Sequence, residues 1–248
     1  VQVTASDGSQ TDTQTITVTV TGVDEAPIIT TLDGNASSAV SVAENQTAVT
    51  DVDATDPEGA SVTYSLTGGA DQSKFSVVSS TGVLTFINAP NFESPTDADV
   101  NNAYVVEVTA SDGSLTGAQT ITVTVTDAND PPAITTLDGN ASSAVSVAEN
   151  QTAVTDVDAT DPEGASLTYS LSGGADQGLF SIVSLNGVLT FISAPNFESP
   201  TDADANNAYV VQVTASDGSQ TDTQTITVTV TGVDEAPVIT TLDGNASS

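Results

Sequence analysis

The stretch TITVTVT (residues 120–126) decides the fold class, because its apolar and polar side chains alternate with a period of two. Its three apolar residues face one side of an extended chain and its four threonines face the other, which is typical of a strand with one buried face. Threonine is β-branched and is tolerated on a solvated sheet face. Segments 83–87 and 104–110 alternate in the same way, and no helical stripe exceeds two turns. The chain is therefore predicted to be all-β.

Turn signals such as DPEG (residues 56–59), GG (68–69) and TG (81–82) divide the sequence into short strands. The predicted strands of one repeat are 38–43, 46–54, 61–67, 74–78, 83–87, 103–110 and 117–126. Seven short alternating strands in about 100 residues are typical of a β-sandwich. The residues predicted to face inward are Val42, Val52, Tyr64, Leu66, Phe75, Val77, Leu84, Phe86, Tyr104, Val106, Ile121, Val123 and Val125.

A domain-sized repeat organises the chain. VAEN at residues 42–45 recurs 105 residues later, and segments 28–132 and 133–237 differ at 19 of 105 aligned positions. Residues 1–38 match 211–248 with one exception, so two repeat types alternate. The predicted domains are residues 1–27 as the C-terminal strands and linker of a preceding repeat, 28–132 and 133–237 as full repeats, and 238–248 as the start of a following repeat. We expect the chain to be a window of a longer tandem array.

The charge of the chain excludes several function classes. It has 33 Asp and Glu against one Lys, no Arg, His or Cys, and a formal charge of −32. Nucleic acids and anionic membrane surfaces would repel it. Catalytic Ser-His-Asp and Cys-His systems, zinc sites and disulfides lack their residues. No membrane-spanning apolar run is present, and Lys74 is replaced by Leu179 in the next repeat, so we predict neither membrane insertion nor enzymatic activity.

If consecutive strands run in opposite directions, most acids collect at the two ends of each repeat. One end carries Asp33, Asp56, Glu58 and Asp112. The other end carries Glu44, Asp71, Glu93, Asp97, Asp99, Asp127 and Asp130. In a head-to-tail array these ends would meet with no cation from the chain between them, and like charges 4 Å apart repel by about 4 kcal/mol at an effective dielectric near 20. Six to eight hard oxygen ligands suit Ca²⁺ better than Mg²⁺, so structural calcium is predicted at the junctions.

Five short motifs occur in a fixed order in each full repeat. In the first they are AEN (residues 43–45), DPE (56–58), NFE (91–93), Asp112 in the context A-S-D-G, and the linker DANDPP (127–132). Together they resemble the motifs of cadherin-like repeats, especially those of large bacterial surface adhesins. Two departures are visible: Asn91 replaces the first acid of the "DRE" motif, and the linker is one residue shorter before its last proline than "DxNDxxP".

The resemblance covers the whole chain and implies a seven-stranded Greek-key sandwich, up to three Ca²⁺ at each junction, and an extracellular location. The candidate metal ligands are Asp24, Glu25, Glu44, Asp56, Glu58, Asn91, Glu93, Asp112, Asp127, Asn129, Asp130, Glu149, Asp161, Glu163, Asn196, Glu198, Asp217, Asp234 and Glu235. The second linker type, GVDE at residues 22–25 and 232–235, has Gly where the first has Asp127. We expect it to bind fewer ions or to bind them more weakly.

The leading functional prediction is a calcium-rigidified stalk or fibre segment of a secreted cell-surface adhesin. Its partners would be neighbouring repeats of the same chain and other copies in a filament or an extracellular polysaccharide. The alternative is a calcium-dependent polysaccharide-binding or homophilic adhesion module. A solvated acidic surface that only maintains solubility remains the simplest competing interpretation of the acids. For Asp97 and Asp99 a polar turn competes with an extra loop ion, and Asp71 is expected to be a plain surface residue.

Overall fold

A computed structural model describes residues 1–237. The predicted start of a following repeat, residues 238–248, lies outside the described residues. The chain divides into two compact units, of which the first is Val1–Ala128 and the second begins at Asn129. Residues 1–237 form strands and short 3₁₀ turns without an α-helix, which confirms the predicted all-β class. No helix among these residues is long and apolar enough to cross a membrane.

The strands of the first unit are β1 Gln2–Ser6, β2 Thr11–Thr15, β3 Ile28–Ile29, β4 Ser37–Ala43, β5 Ala48–Asp51, β6 Ala54–Thr55, β7 Thr63–Gly68, β8 Phe75–Val77, β9 Val83–Phe86, β10 Ala103–Ser111 and β11 Thr116–Thr126. Those of the second unit are β12 Ala133–Ile134, β13 Ser142–Ala148, β14 Ala153–Asp156, β15 Ala159–Thr160, β16 Thr168–Gly173, β17 Phe180–Ile182, β18 Val188–Phe191, β19 Ala208–Ser216 and β20 Thr221–Thr231. The 3₁₀ turns are Thr31–Gly34, Gln72–Lys74, Thr136–Gly139 and Gln177–Leu179.

Each unit is a sandwich of the same topology. In the first unit a four-stranded sheet has the order β4-β11-β10-β7, and it faces a three-stranded sheet β5-β9-β8 and the short pair β3-β6. Strand β4 runs parallel to β11, and the other pairs are antiparallel. The second unit repeats this order with β13-β20-β19-β16, β14-β18-β17 and β12-β15. Strands β1 and β2 form a separate exposed hairpin.

The core lies between the two sheets and consists of the residues that the alternation predicts. All thirteen predicted inward residues are either buried or packed against the buried cluster. Phe75 and Phe86 stack with ring centroids 4.6 Å apart, and Tyr104 meets the edge of Phe86 at 5.2 Å. Offset and edge-to-face pairs of this kind add to the free energy gained from burial. The second unit reproduces the trio with Phe180, Phe191 and Tyr209.

The predicted strand 46–54 is wrong in one respect, because the structure breaks it into β5 and β6. Val52, which is fully buried, donates its N–H to the Gly82 carbonyl, so the chain leaves β9 at this point. The next residues pair with β3 instead, a strand of two residues that is too short to show a period. A Cβ on Gly82 would lie only 2.0 Å from the Val52 carbonyl oxygen, so this crossing requires glycine.

The strand directions place the acidic loops at two ends of each unit. Strands β4, β7 and β11 run one way, and β10 runs the other. The loops that follow β4 and β9 therefore lie beside the end of β11; we call this the C-terminal end of the unit. The loop before β7 and the turn between β10 and β11 lie at the opposite, N-terminal end. The same definitions apply to the second unit.

Candidate metal centre

The C-terminal end of the first unit brings three carboxylates together. Oxygens of Glu44, Glu93 and Asp127 lie within 4.8 Å of one another. Two unit negative charges at that distance repel by about 3 kcal/mol at an effective dielectric near 20, and by less where solvent screens them. Glu93 and Asp127 are exposed, whereas Glu44 is only 3% exposed. The cluster consists of hard oxygen donors, which are the ligands that Ca²⁺ prefers.

Backbone amides hold the buried member of this cluster in place. Glu44 follows β4 directly, and its own N–H donates to the Thr126 carbonyl at the end of β11. Its Oε2 accepts the N–H of Phe92 at 2.7 Å, and its Oε1 accepts the N–H of Ala128 at 3.0 Å. One carboxylate thus ties the 88–102 loop and the chain after β11 to the end of β4. A carboxylate oxygen can accept more than one bond, so both oxygens keep capacity for a cation.

Asn91 contributes a further oxygen at this end. Its Oδ1 is buried and accepts no hydrogen bond from the residues that the structure describes. A buried acceptor without a partner costs about 1–3 kcal/mol relative to a satisfied one. A cation that accepts this lone pair would remove the cost.

The C-terminal end of the second unit keeps the buried glutamate and loses the cluster. Glu149 Oε2 accepts the N–H of Phe197 at 2.8 Å, and Oε1 accepts the N–H of Val233 at 2.7 Å. These two amides lower the pKa of Glu149 below its ordinary value. Gly232 stands where Asp127 stands in the first unit. No group of three acids gathers at this end among residues 129–237.

Two of the other candidate ligands at this end, Asn196 and Glu235, bond to the protein itself. Asn196 Oδ1 accepts the N–H of Ser199 at 2.7 Å, whereas the equivalent Asn91 oxygen has no partner in the described chain. Asn150 donates its side-chain amide to Glu235 at 2.6 Å. Asp234 and Glu198 are exposed.

The N-terminal end of the first unit holds two aspartates in the same arrangement. Asp56 Oδ1 accepts the N–H of Glu58 at 3.1 Å and that of Ala60 at 2.8 Å. Asp112 Oδ1 accepts the N–H of Ser114 at 2.6 Å and that of Leu115 at 2.8 Å, and these amides lower the pKa of Asp112. The second oxygen of each aspartate is buried and has no hydrogen-bond partner in residues 1–237.

The preceding linker segment reaches this end through Glu25. Its N–H donates to Glu58 Oε2 at 3.1 Å, and Asp24 is exposed beside it in the chain. The structure therefore gathers Asp56, Glu58 and the linker at one end, as the strand-reversal argument requires.

The N-terminal end of the second unit repeats the arrangement with one change. Asp161 Oδ1 accepts the N–H of Ala165 at 2.8 Å, and its Oδ2 is buried without a partner in the described part of the chain. Asp130 donates its N–H to Glu163 Oε2 at 3.2 Å. Asp217 Oδ2, in contrast to its counterpart Asp112, accepts the side-chain amide of Asn129 at 2.9 Å.

Asp217 is further held by the turn in which it lies. Its Oδ1 accepts the backbone N–H groups of Gln220 and Ser219, at 2.6 and 2.5 Å. The Gln220 amide, the Asn129 side chain and the Ser219 amide lower the pKa of Asp217. Gln220 also donates its side-chain amide to the Asn129 carbonyl.

The residues present fit a calcium ion by a structural criterion that is independent of sequence motifs. In Asp56, Asp112 and Asp161 one carboxylate oxygen is fixed by amides while the other is buried and unpartnered among the described residues. A buried anionic oxygen without a donor is costly, because desolvation is uncompensated. A divalent cation with oxygen ligands would compensate it.

Two other acids have structural roles. Asp71 was expected to be a plain surface residue, and this is wrong: it is 2% exposed and accepts the N–H groups of Ala98 and Val105 at 2.7 and 2.8 Å. Asp97 accepts the N–H groups of Asn101 and Asn102. Burial, the largest single influence, would raise the pKa of Asp97, but hydrogen bonds, chiefly those from the Asn101 and Asn102 amides, together lower it. This arrangement favours a polar turn over an extra loop ion.

A family model described as "Cadherin domain" matches residues 38–126 and 143–231. The chain belongs to the cadherin family. Human Protocadherin-15 is 32% identical over 198 residues, which is 75% of this chain and 9% of that protein. Human Protocadherin Fat 1 is 30% identical over 221 residues, or 81% of this chain and 4% of that protein. Cadherin-7 of Gallus gallus is 30% identical over 211 residues, or 77% and 26%.

The chain thus spans a small part of the relatives that it matches. Among solved structures, the human Desmocollin-1 ectodomain superimposes with a TM-score of 0.53 at 23% identity, over 88% of this chain and 43% of that one. This likeness supports the fold alone. Two tandem cadherin domains are what the sequence motifs predicted, and that prediction is confirmed.

Membership of the cadherin family establishes three coarse properties. Cadherins are a non-enzymatic adhesion family, their ectodomain repeats are extracellular, and the repeats bind Ca²⁺ at their linkers. The predictions of no enzymatic activity and of a cell-surface location are confirmed at this level. The individual ligands named from the sequence stay predictions, and the geometry above indicates which of their oxygens are available.

Proposed function

We propose that this chain is a structural stalk segment of an extracellular cell-surface adhesin or filament of the bacterial type, stiffened by calcium at its repeat ends. Near-identity of the two repeats supports a spacer role, because a spacer requires length and places no demand on individual surfaces. Three aromatic rings of the first unit support it too: Phe75, Phe86 and Tyr104 are buried in the core, so these rings offer no platform to a sugar.

The buried, unpartnered carboxylate oxygens at the repeat ends are the observation that carries the calcium proposal. Backbone amides orient the carboxylates of Asp56, Asp112 and Asp161. The conformational entropy of these side chains is therefore lost on folding, and calcium binding needs little rearrangement. Bound calcium supplies the positive charge and the six to eight coordination positions that such ends require. Asp127 of the linker DAND belongs to the acid cluster of the first unit, so an ion bound there would limit the conformations open to the chain at that point.

The proposed ligands differ between the two linker types. For the DAND linker they are Glu44, Asn91, Glu93, Asp127, Asn129, Asp130, Asp161, Glu163 and Asp217. For the GVDE linkers they are Asp24, Glu25, Asp56, Glu58 and Asp112 on one side, and Glu149, Asn196, Glu198, Asp234 and Glu235 on the other. The boundaries 28–132 and 133–237 are proposed as the repeats that these linkers join.

Calorimetric titration of the chain with Ca²⁺, followed by thermal unfolding in Ca²⁺, Mg²⁺ and EDTA, tests this proposal. Ca²⁺ near 1 mM, in the affinity range of extracellular modules, is expected to raise the midpoint of unfolding well above its value in EDTA. Asp161→Asn should remove part of the binding heat. Asp51→Asn is the matched control, because Asp51 is an exposed acid on the side of the unit. Equal unfolding midpoints in Ca²⁺ and EDTA would instead favour a solvated acidic surface.

The second candidate is a homophilic contact module. One observation favours it: the outward positions of β13, β20, β19 and β16 in the second unit carry no charged side chain. A polysaccharide-binding module has no comparable support in the described residues.

A further inference from the structure

Each linker is bonded to the repeat that follows it, and one of these bonds is common to the two copies. Asp130 donates its N–H to Glu163 Oε2 at 3.2 Å, and the equivalent Glu25 donates its N–H to Glu58 Oε2 at 3.1 Å. Each of these bonds lies within one compact unit, because the second unit begins at Asn129. The two linkers can therefore be compared at matched positions.

Two side chains of the second repeat add further bonds to residues 129–134, which we call the linker segment. Gln220 donates its side-chain amide to the Asn129 carbonyl. Asp222 Oδ2 accepts the N–H of Ile134 at 2.8 Å. The turn between β19 and β20 and the first residues of β20 thus bond to the linker segment near both of its ends.

The first repeat has neither of these side chains. Leu115 stands at the position of Gln220, and Gly117 stands at that of Asp222. The leucine side chain forms no hydrogen bond, and Leu115 is exposed. A Cβ on Gly117 would lie 2.1 Å from the Pro27 carbonyl oxygen, so the chain after the GVDE linker lies directly against the backbone of β11. The repeat that follows each linker type therefore differs at the positions that contact the linker.

The donors of the bonds in the second repeat are uncharged, and the acceptors include three carboxylates. Asn129 donates its side-chain amide to Asp217 Oδ2 at 2.9 Å, in addition to the bonds that Glu163 and Asp222 accept. Hydrogen bonds to a charged group contribute more to stability than neutral ones do. These amides interact with the carboxylates without a cation, so the linker segment is held when no metal is bound.

We propose that Gln220 and Asp222 are positioning residues that hold the linker segment on the second repeat before calcium binds. Neither residue is a proposed ligand, whereas Asn129, Asp130 and Asp217 are. Ordering a residue costs conformational entropy, so a segment that is ordered on folding loses less when an ion binds. The effect on calcium rests on the proposed function, and the metal-free hold does not.

The bonds that hold the linker segment leave its oxygens able to bind an ion. The Asn129 carbonyl has two lone pairs, and Gln220 uses one of them. An Asp217 carboxylate oxygen can likewise accept more than one bond. These bonds are therefore expected to assist calcium binding rather than to compete with it.

Amide hydrogen exchange of the intact chain in EDTA tests the metal-free hold directly. The protection factors of Asp130 and Glu25 compare two amides that bond to equivalent glutamates. Asp130 is expected to be protected at least about fivefold more than Glu25. Gln220→Leu should lower the protection of Asp130 by about two- to tenfold, although it leaves the acceptor Glu163 in place.

The β1–β2 hairpin provides a matched control. Residues 6–15 have the same sequence as residues 216–225, so Gln10 and Asp12 are the counterparts of the two positioning residues. Both are exposed, and the hairpin is separate from the sandwich. Gln10→Leu/Asp12→Gly should leave the protection factor of Asp130 within about twofold of the wild type.

Asp222 is tested by a pair of variants. Asp222→Gly introduces the residue of the first repeat and should lower the protection of the Ile134 amide by about two- to tenfold. Asp222→Asn keeps an acceptor oxygen and should retain most of the protection. Gln220 is an exposed turn residue, so Gln220→Leu reports on the proposal even if Asp222→Gly destabilises β20.

Two results of the exchange measurement would overturn the proposal. The first is an equal protection factor for Asp130 and Glu25 in the wild type. The second is an unchanged protection factor for Asp130 in Gln220→Leu. A loss of protection that is as large in Gln10→Leu/Asp12→Gly would also overturn it, because the effect would then not come from contact with the linker segment.

Calorimetric titration with Ca²⁺ tests the positioning role separately. Gln220→Leu should raise the dissociation constant by about three- to tenfold, and Gln10→Leu/Asp12→Gly should change it by less than about twofold. A loss of protection in EDTA with an unchanged dissociation constant would overturn the positioning role. A wild-type chain that binds no calcium but shows the expected protection of Asp130 would refute the proposed function and the positioning role, and it would support the metal-free hold.

Discussion

The C-terminal ends of the two units have the same buried glutamate and different surroundings. Glu44 and Glu149 each accept two backbone amides, from residues that are equivalent in the two repeats. In the first unit Asp127 completes a cluster of three acids, and in the second unit Gly232 takes its place. The buried glutamate is thus part of the architecture of the end, whereas the capacity for a cation depends on the residue that follows the last strand.

The absence of one carboxylate changes more than one ligand position. A Cβ on Gly232 would lie 3.0 Å from Cδ1 of Phe197, so the phenylalanine ring lies against the glycine. Phe197 is 40% exposed, whereas the equivalent Phe92 packs against the core of its unit. Asn196 has its oxygen bonded to Ser199. In these contacts a ring lies where the first unit has the Asp127 side chain, and the asparagine oxygen is already bonded, which supports weaker calcium binding at the GVDE linker.

The largest expected effect is that of Glu44→Ala measured in EDTA. The amides of Phe92 and Ala128 would lose their acceptor at a buried position, and each unsatisfied group costs about 1–3 kcal/mol. The free energy of unfolding of the first unit should fall by about 2–5 kcal/mol. Hydrogen exchange of the β4 and β11 amides measures this loss. Asp127→Ala is the control, because that exposed acid should cost little without calcium; equal losses would show that Glu44 has no special structural role.

The second largest expected effect is a difference in calcium affinity between the C-terminal ends of the two units. Asp127→Gly converts the first end toward the second, and we expect the dissociation constant for Ca²⁺ to rise at least about tenfold, equivalent to 1.4 kcal/mol. The reverse change, Gly232→Asp, should gain little by itself, since the Phe197 ring lies at the Cβ position.

Calorimetry of Gly232→Asp with and without Phe197→Ala sharpens this result. The aspartate should bind calcium better in the double variant than in the single one. If Gly232→Asp alone restored the affinity of the first end, the ring contact would have no part in the difference.

Lowering the pH tests the role of the two backbone amides that bond to Glu149 at the C-terminal end of the second unit. The folded state lowers the pKa of Glu149, so the folded chain binds fewer protons than the unfolded chain at mildly acidic pH. The contribution of this group to stability is present above its unfolded pKa of about 4.3 and is lost as the pH falls through the folded value. Denaturant unfolding of Glu149→Gln in EDTA should therefore show a weaker loss of stability on acidification than the wild type.

Comparison with the variant is necessary because acid also relieves repulsion among the other carboxylates, which has the opposite sign. Identical pH profiles of the wild type and Glu149→Gln would contradict the assignment of the lowered pKa to this carboxylate.

The smallest expected effect on stability is that of replacing the equivalent asparagines Asn91 and Asn196. Asn196→Ala removes the acceptor for the Ser199 amide and should cost about 0.5–1.5 kcal/mol in EDTA. Asn91→Ala should cost less in EDTA, because the Asn91 oxygen accepts no bond in residues 1–237. In calcium, Asn91→Ala should cost more stability than Asn196→Ala if Asn91 is a ligand. The same order in both buffers, measured by thermal unfolding, would count against Asn91.

The strands were largely predictable from sequence because their signal is local. The alternation in 120–126 is confirmed by β11, and the turn at Thr81-Gly82 lies where the chain reverses between β8 and β9. The break between β5 and β6 was not predictable, since it depends on the Val52 N–H bonding to Gly82, thirty residues further along the chain. Asp71 was misjudged for the same reason, because its amide donors are 27 and 34 residues away.

The candidate site was predictable as a set of residues but not as a set of atoms. The segment APNFESP occurs unchanged at 89–95 and 194–200. Even so, the asparagine oxygen bonds to Ser199 in one copy and has no described partner in the other. Identical local sequence gives two arrangements because the chain after the last strand differs, with Asp127 in one unit and Gly232 in the other.

Small-angle scattering of the chain, in about 1 mM Ca²⁺ and then in EDTA, tests the central claim most directly. The account predicts a narrower distribution of long interatomic distances in calcium than in EDTA, and a smaller difference for Asp127→Gly. Superimposable scattering curves in the two buffers would contradict the claim that calcium stiffens this segment.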